Sequence, residues 1–235
     1  MKKIFCKILF RLFQTFELSR KNDISIKKSQ FIASDRVITK FIFRQILFEK
    51  TLNLKGGVLE VGVGAGNGLR FFIRLQEFYQ DTRKLYAFDS FQGFPKGSKY
   101  DSQNFNLQNK PTYKLFSQTF VREFLSASGA SADQINGVRF IQGFIPESLE
   151  KFDYTPIAFL NLDLDLYQPT IDSLNYFWKY VLPGGVVLLD DYDDERAQVK
   201  WPGVKQAVDE FCKKNDITVM RGYGNHAYLI KIKTA

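Results

Sequence analysis

The stretch GGVLEVGVGAGNG, residues 56–68, is a short apolar segment that runs directly into a loop of closely spaced glycines. Its Val- and Leu-rich beginning predicts a buried β-strand, and the segment LRFFIRLQEFYQ (69–80) that follows has the apolar spacing of a helix. Glycines let a backbone turn tightly and approach a ligand without a Cβ clash. The order of strand, glycine loop and helix therefore predicts the first unit of an α/β sheet, with a ligand beside the loop.

Further strands and helices alternate along the rest of the chain. Strands are predicted for KLYAFD (84–89), VRFIQG (138–143), PIAFLNLD (156–163) and LPGGVVLLDD (182–191). Helices are expected from Ser34 or Asp35, over 114–126, from Pro169 onward and over 201–214, and the segment 217–233 predicts a closing hairpin. Continuously apolar strands that alternate with amphipathic helices are typical of a mostly parallel sheet covered on both faces. We therefore predict an α/β fold with a C-terminal antiparallel hairpin and N-terminal helices.

The beginning of the chain is basic and amphipathic. The protein has 33 Lys and Arg against 25 Asp and Glu, and the net charge of +8 is concentrated in this region. Lys7 and Arg11 interrupt its first apolar run, which is too short to span a bilayer and has no signal-peptide cleavage site. We predict a helical extension or lid over residues 1–50, followed by one domain over 51–235. The extension is expected to pack on that domain or on a second subunit, as in a homodimer, or to contact a membrane surface. The helix from Ser34 or Asp35 is expected to bury one stripe, comprising Val37, Ile38, Phe41, Ile42 and Ile46.

Charge and cysteine content restrict the partners and the compartment. A basic chain suits nucleic acid, an anionic membrane or a phosphate-bearing substrate, but no nucleic-acid-binding motif accompanies the charge, so nucleic acid is not expected as a partner. Cys6 and Cys212 lie far apart and belong to no metal-binding cluster. Two isolated cysteines predict a reducing, cytoplasmic location. The basic N-terminus allows the protein to contact a membrane surface from that compartment.

Carboxylates follow three of the predicted strands. Asp89 ends the second strand, where an acid is expected to accept the ribose hydroxyls of an adenosine-containing cofactor, with a turn or helix-cap role as the alternative. Asp163 and Asp165 end the fourth strand, and Asp190 and Asp191 end the neighbouring fifth. Four acids gathered in a partly buried cleft repel one another, and a hard divalent cation such as Mg²⁺, which prefers oxygen ligands, removes the conflict. The acids therefore predict a magnesium site, with helix capping or solvent exposure as the alternative.

Two further features bear on catalysis. The polar segment 92–111, QGFPKGSKYDSQNFNLQNKP, predicts a long loop of the kind that closes over a site. His226 is the only histidine, and as a residue of the final hairpin it is an alternative general base.

Four motifs taken in order resemble the macrocin O-methyltransferase (TylF-type) family: LEVGVGAGNG (59–68), YAFDSFQGFP (86–95), LNLDLDLYQPT (160–170) and LPGGVVLLDDYD with WPGVKQAVDEF (182–193 and 201–211). The resemblance covers residues 54–211. It implies a Rossmann-like class I methyltransferase fold and a metal-dependent transfer of a methyl group from S-adenosylmethionine (SAM). The acceptor implied is a hydroxyl of a sugar or glycoside in natural-product or glycan biosynthesis.

The resemblance also implies roles for single residues. Those expected to bind SAM are Glu60, Gly62, Gly64, Gly66, Asp89, Ser90, Phe91, Gly143, Phe144 and Asp163. Mg²⁺ would be held by Asp163, Asp190 and Asp191, with Asp163 or Asp165 as the base that takes the proton of the acceptor. Family members carry DGD or a similar sequence where this chain has DLD (163–165), so the division of labour between its two acids stays open.

Two other functions are compatible with parts of the sequence. A noncatalytic protein that binds polyanions or a membrane surface would explain the basic N-terminus, and an NAD-dependent oxidoreductase would explain the glycine loop. Neither explains why acids end two neighbouring strands. The glycine spacing, Gly-x-Gly-x-Gly rather than Gly-x-Gly-x-x-Gly, also argues against the oxidoreductase.

Overall fold

A computed structural model describes residues 35–102, 116–192, 201–222 and 227–232. Within these residues a single sheet has the strand order β3-β2-β1-β4-β5-β7-β6. Its strands are β1 (Gly57–Val61), β2 (Leu85–Asp89), β3 (Val138–Gln142), β4 (Ile157–Leu162), β5 (Val181–Leu189), β6 (Met220–Arg221) and β7 (Ala227–Ile230). The first five pair in parallel, whereas β7 runs antiparallel to both β5 and β6. The predicted α/β sheet with a C-terminal antiparallel hairpin is confirmed.

Helices cover both faces of this sheet. They are α1 (Asp35–Glu49), α2 (Asn67–Tyr79), α3 (Gln118–Ala127), α4 (Ala132–Gly137), α5 (Tyr167–Phe177) and α6 (Pro202–Asn215), with short 3-10 turns at Glu147–Lys151 and Trp178–Tyr180. Residues of α1 to α4 share one hydrophobic core with one face of the strands, and residues of α5 and α6 share a second core with the other face. The strands β1, β2 and β4 are almost entirely buried, which is why they read as continuous apolar segments.

The strand order fixes where a ligand can bind. β1 lies in the middle of the sheet, with β2 on one side and β4 on the other. The chain moves outward from β1 to β2 and β3, then returns to the other side of β1 for β4 and β5. This reversal leaves a crevice beyond the carboxyl ends of β1 and β4, the position at which open α/β sheets bind ligands.

Helix α1 buries a different face from the one expected. Its buried side chains are Phe43, Arg44, Leu47 and Phe48, whereas Ile42 and Ile46 of the expected stripe are 38% and 47% exposed. The prediction was wrong for Ile42 and Ile46, whereas Phe41 does pack against the core, with its ring 4.9 Å from that of Phe71. The aromatic rings decide the packing. The ring of Phe48 lies 5.8 Å from that of Phe159 on β4 and 6.2 Å from that of Phe72 on α2. Since α1 shares a core with the sheet, the part of the predicted 1–50 extension that is described is packed on the domain.

Some boundaries also differ from expectation. Helix α5 begins at Tyr167, two residues before Pro169, because the carboxylate of Asp101 accepts the N–H of Tyr167 at 2.8 Å and satisfies that helix end. The helix expected over 114–126 is observed as α3, which is capped by the side chain of Ser117. The described part of the segment 92–111, residues 92–102, has neither helix nor strand. Among the described residues, no helix is both long enough and apolar enough to cross a bilayer.

Candidate functional site: the carboxyl edge of the central strands

The glycine loop between β1 and α2 turns sharply at the crevice. Gly62, Gly64 and Gly66 all have positive φ angles, of 93°, 51° and 91°. A Cβ on Gly62 would lie 1.8 Å from the carbonyl oxygen of Asp163, so the loop packs directly on the end of β4. A Cβ on Gly64 would meet nothing within 4 Å, and Gly64 lines the open cavity. Gly66 precedes the first turn of α2 and lies against Val121 of α3. The loop therefore has one glycine packed against the end of β4 and one that faces the open cavity.

Asp89 ties this loop to the end of β2. Its Oδ2 accepts the backbone N–H groups of Val63 and Gly64 at 2.8 and 3.0 Å, and its Oδ1 accepts the N–H of Phe91 at 2.7 Å. The carboxylate thus has the turn role that the sequence left as the alternative, and it also lines the cavity. Its role toward ribose hydroxyls stays a prediction.

Glu60, the acid on β1, is buried under the start of α2. A Cβ on Gly68 would lie 1.8 Å from Oε1 of Glu60, so only glycine at that position leaves room for the carboxyl group. Burial raises the pKa of Glu60 well above its usual value, and the positive charge of Arg44 opposes the rise. Glu60 lines the floor of the cavity.

The part of the cavity beside β2 and β3 holds further residues expected to bind SAM. Gly143 and Phe144, which follow β3, line the cavity, as does Ser90 after β2. The hydroxyl of Ser90 donates to the carbonyl of Gly93 at 2.6 Å, which shapes the turn after β2. Phe91 differs from these residues, because its side chain is buried 6.1 Å from the ring of Phe140 and does not line the cavity.

The acids at the ends of β4 and β5 form two groups. Asp163, Asp165 and Asp191 each bring one carboxylate oxygen within 4.8 Å of the others. Asp190 has a side-chain hydrogen bond with Asp163 and also faces helix α1, where its Oδ2 lies 2.5 Å from Nζ of Lys40 and its Oδ1 lies 3.5 Å from Nη2 of Arg44. The resemblance assigned Asp190 to the metal. The set of converging oxygens contains Asp165 in its place, and the assignment of Asp190 stays a prediction.

The two groups differ in their proton affinity. Burial raises the pKa of Asp163 well above the usual value, and the neighbouring charge of Asp190 adds to the rise. Burial also raises the pKa of Asp165, together with the charge of Asp163 and a hydrogen bond with Asp191. Burial alone would raise the pKa of Asp190 as well, but Lys40 and Arg44 outweigh it and hold that pKa well below the usual value. Of these three acids, Asp190 is therefore the one that stays ionised at neutral pH.

One cavity of about 370 Å³ connects these parts. Its lining includes Asp89 after β2, the glycine loop after β1, and Asp163 and Asp165 after β4, in the order of the strands in the sheet. Several further lining residues were not predicted from the sequence, namely Lys40, Arg44, Asn67, Phe94, Pro95, Phe116, Ile145, Leu164 and Pro169. The sequence does contain a pattern that could have pointed to Lys40 and Arg44. They are basic residues four apart, and therefore on one face, of a helix that is otherwise rich in apolar side chains. His226 lies outside the described residues. So do residues 103–111 of the predicted loop and residues 112–115, which follow it.

Strand order, glycine loop and carboxyl-edge cavity together define a Rossmann-like class I methyltransferase fold. The O-methyltransferase NovP has the same fold, with a TM-score of 0.72 and 25% sequence identity over 83% of this chain and 81% of NovP. The calicheamicin methyltransferase CalS11 is also similar in fold, with a TM-score of 0.71 and 22% identity over 94% of this chain and 91% of CalS11.

Sequence comparison narrows the class to one family. Residues 42–220 match the family described as macrocin-O-methyltransferase (TylF), and the chain belongs to that family. The mycinamicin III 3''-O-methyltransferase of Micromonospora griseorubida is 30% identical over 169 residues, or 69% of this chain. The demethyldecarbamoylnovobiocin O-methyltransferase of Streptomyces niveus is 29% identical over 171 residues, or 70% of this chain. The match spans 63% and 61% of the length of these two relatives.

Proposed function

We propose that this protein is a metal-dependent O-methyltransferase that moves a methyl group from SAM to a hydroxyl of a sugar or glycoside in natural-product or glycan biosynthesis. Membership of the TylF family and the class I fold support the reaction type and the cofactor. The names of the two relatives, which are O-methyltransferases of mycinamicin III and of demethyldecarbamoylnovobiocin, support a small-molecule acceptor.

The observation that carries the proposal is the continuity of the cavity. Asp89 lines it beside β2, the glycine loop lines it beside β1, and Asp163 and Asp165 line it beside β4. A methyl donor bound along the loop and an acceptor hydroxyl beside the acids would then share one space. Holding two reactants together in this way is a major source of rate enhancement in transfer reactions.

For SAM, the residues present fit an adenosine-containing ligand. Gly64 leaves open space where a side chain would otherwise intrude, and Gly143 and Phe144 form a wall on the β3 side. When bound, SAM supplies an electrophilic methyl group on a sulfonium. Asp89 fixes the loop through the N–H groups of Val63 and Gly64, which presents a preformed surface to the cofactor.

For the metal, the donor set fits a hard divalent cation. Oxygen atoms of Asp163, Asp165 and Asp191 converge within 4.8 Å, and their mutual repulsion is relieved by a cation that prefers carboxylate ligands. Asp163 and Asp191 would hold Mg²⁺, with Asp165 either as a further ligand or as the base, and Asp190, which the resemblance also assigns to the metal, stays a predicted ligand. When bound there, Mg²⁺ supplies Lewis acidity that favours loss of the hydroxyl proton.

The chain supplies the base that receives this proton. Asp163 and Asp165 both line the cavity, and both have a raised pKa, which brings a carboxylate closer to the range in which general bases work best. Asp163→Asn and Asp165→Asn will separate the two roles when Mn²⁺ affinity and kcat are measured side by side. The variant that loses kcat but retains Mn²⁺ binding has lost the base, and the variant that loses both has lost a metal ligand.

The function is tested with a panel of sugars and glycosides, including nucleotide-linked sugars, and SAM labelled in its methyl group. We expect label in at least one acceptor, loss of transfer in EDTA and its return with Mg²⁺. S-adenosylhomocysteine should raise the melting temperature, because a ligand that binds only the folded state stabilises it. No thermal shift at saturating ligand would contradict SAM use, and full activity in EDTA would remove the metal from the mechanism.

A cytoplasmic location, peripheral membrane contact through the basic N-terminus, a homodimer and the division at residue 50 stay predictions from the sequence. Cell fractionation tests the first two, and light scattering of the purified protein tests the third. The polyanion-binding alternative predicts salt-sensitive binding to heparin or nucleic acid with indifference to SAM.

A further inference from the structure

Both segments that carry the acids at the edge of the sheet end in a buried tyrosine. Tyr167 follows Asp165 by two residues and is 9% exposed, and Tyr192 follows Asp191 directly and is 4% exposed. Both rings belong to the core that α5 and α6 share with the sheet. The two tyrosines are therefore fixed in the interior, close in sequence to the carboxylates that follow β4 and β5.

Each tyrosine hydroxyl reaches a carboxylate on helix α6. The hydroxyl of Tyr192 donates to Oδ1 of Asp209 at 2.5 Å, and the hydroxyl of Tyr167 donates to Oε2 of Glu210 at 2.7 Å. Asp209 and Glu210 are consecutive residues in the middle of α6. Hydrogen bonds to ionised acceptors are shorter and stronger than neutral ones. One helix thus holds, through two adjacent side chains, two segments that lie far apart in the chain.

Two of the acids have backbone conformations that depend on their surroundings. Asp165 and Asp191 have left-handed φ angles of 64° and 60°, which are uncommon for residues other than glycine. Such conformations persist where the neighbouring structure fixes them. Asp165 and Asp191 also share a side-chain hydrogen bond, so the two turns meet directly. A displacement of either turn would therefore change how the acids converge.

We propose that Asp209 and Glu210 are positioning residues for the proposed reaction. Through the hydroxyls of Tyr192 and Tyr167 they hold the two left-handed turns at which the acids that follow β4 and β5 converge. The inference rests on the proposed function, because its consequence is measured at the proposed metal site. Neither Asp209 nor Glu210 is among the residues that line the cavity, so both act through the tyrosines.

The test is a titration with Mn²⁺ alone, in which the free ion is followed by electron paramagnetic resonance in the absence of SAM and acceptor. Tyr192→Phe and Tyr167→Phe each remove one hydroxyl and leave the ring in the core. Tyr192→Phe should weaken Mn²⁺ binding about tenfold, because the loss of a hydrogen bond that orients metal ligands typically costs about 10–100-fold. Tyr167→Phe should cause a smaller loss, because Asp101 still accepts the backbone N–H of residue 167 at 2.8 Å.

Tyr86→Phe is the matched control. Tyr86 is also buried, and its hydroxyl donates to Oδ1 of Asp153 at 2.9 Å, but this pair lies near the amino ends of β2 and β4. Loss of a buried hydroxyl bond should lower the melting temperature of all three variants by about 2–4 °C. Only Tyr192→Phe and Tyr167→Phe should also lose Mn²⁺ affinity, which a merely structural role of the hydroxyls would not produce.

Variants of the acceptor separate positioning from charge. Asp209→Ala removes the acceptor and should weaken Mn²⁺ binding as much as Tyr192→Phe does, and the double variant should bind no more weakly than either single variant. Asp209→Asn removes the same charge but keeps an acceptor oxygen, so it should stay close to the natural affinity. The side chain of Asp209 is 45% exposed, so solvent screens its charge. Equal losses in Asp209→Asn and Asp209→Ala would mean that the charge acts at long range, and would overturn the positioning role.

The outcomes also distinguish this inference from the proposed function. If Mn²⁺ binds the natural chain and binds Tyr192→Phe and Tyr167→Phe as tightly as Tyr86→Phe, the positioning role is overturned and the metal site stands. If the natural chain does not bind Mn²⁺, both are overturned, while SAM use is judged separately by the thermal shift. The shift produced by S-adenosylhomocysteine should be the same in the natural chain and in both tyrosine variants, because Asp89 holds the glycine loop through other contacts. Its loss in Tyr192→Phe would reveal a general distortion of the cavity and would overturn the positioning role.

Discussion

Replacing Gly62 with alanine tests how the glycine loop and the acidic edge depend on each other. Gly62 has a φ of +93°, and a Cβ there would lie 1.8 Å from the carbonyl oxygen of Asp163 and 2.6 Å from its carbonyl carbon. Real Cβ contacts essentially never fall below 3.0 Å, so the backbone at Asp163 or the loop must retreat by about 1.2 Å. Both partners are backbone, so no side-chain rotation relieves the clash.

The cost follows from the contacts that such a shift disturbs. The N–H of Asp163 donates to the carbonyl of Val61, and the N–H of Gly62 donates to the carbonyl of Phe88, both at 2.9 Å. Loss of each bond costs about 1 kcal/mol, and a left-handed alanine costs about 1–2 kcal/mol more. We therefore expect Gly62→Ala to lower the free energy of unfolding by about 3–4 kcal/mol.

Gly64→Ala is the matched control in the same loop. Its φ of +51° is also left-handed, but an added Cβ would meet nothing within 4 Å. Only the conformational cost of about 1–2 kcal/mol should remain. Both variants are compared by equilibrium urea unfolding without cofactor, and Gly62→Ala should also weaken Mn²⁺ binding because Asp163 is displaced. Equal destabilisation of the two variants would refute the proposed contact between loop and strand end.

Three further predictions concern other parts of the structure. Because the pKa values of Asp163 and Asp165 are raised in the folded chain, Mn²⁺ affinity should increase with pH, and the free energy of unfolding without metal should decrease above about pH 4, where these groups ionise in the unfolded chain. Titrations and urea unfolding at a series of pH values check both signs, and opposite slopes would contradict them. Asp153→Ala should cost about 1 kcal/mol in urea unfolding, since it removes one of two hydrogen-bond partners of the Tyr86 hydroxyl, at 2.9 Å, and leaves only Thr155; an unchanged midpoint would contradict this. Asp101→Ala should cost about 1–2 kcal/mol through loss of the N-terminal acceptor of α5, whereas Asp101→Asn, which keeps an acceptor oxygen, should cost less.

Much of the fold could be predicted from local patterns. The strand at 57–61, the glycine loop and helix α2 follow in the expected order, because buried strands, tight turns and amphipathic helices each have a composition of their own. The acids at the ends of β4 and β5 were found for the same reason, since polar residues that end an apolar run mark the edge of a parallel sheet. The buried face of α1 was not predicted. Its sequence offers two apolar stripes, and only contacts with Phe72 and Phe159 select the one that contains Phe48.

The sequence by itself determined which carboxylates gather at the edge of the sheet, because strand ends and glycine turns are encoded within a few residues of each other. Only the tertiary structure decided what each carboxylate faces. Asp190 and Asp191 are adjacent in the chain, but Asp191 has a left-handed φ of 60° and converges with Asp163 and Asp165, while Asp190 meets a lysine 150 residues away. Charges so distant in sequence meet only when α1 packs on the sheet, and hydrophobic burial sets that packing without regard to the charges it brings together.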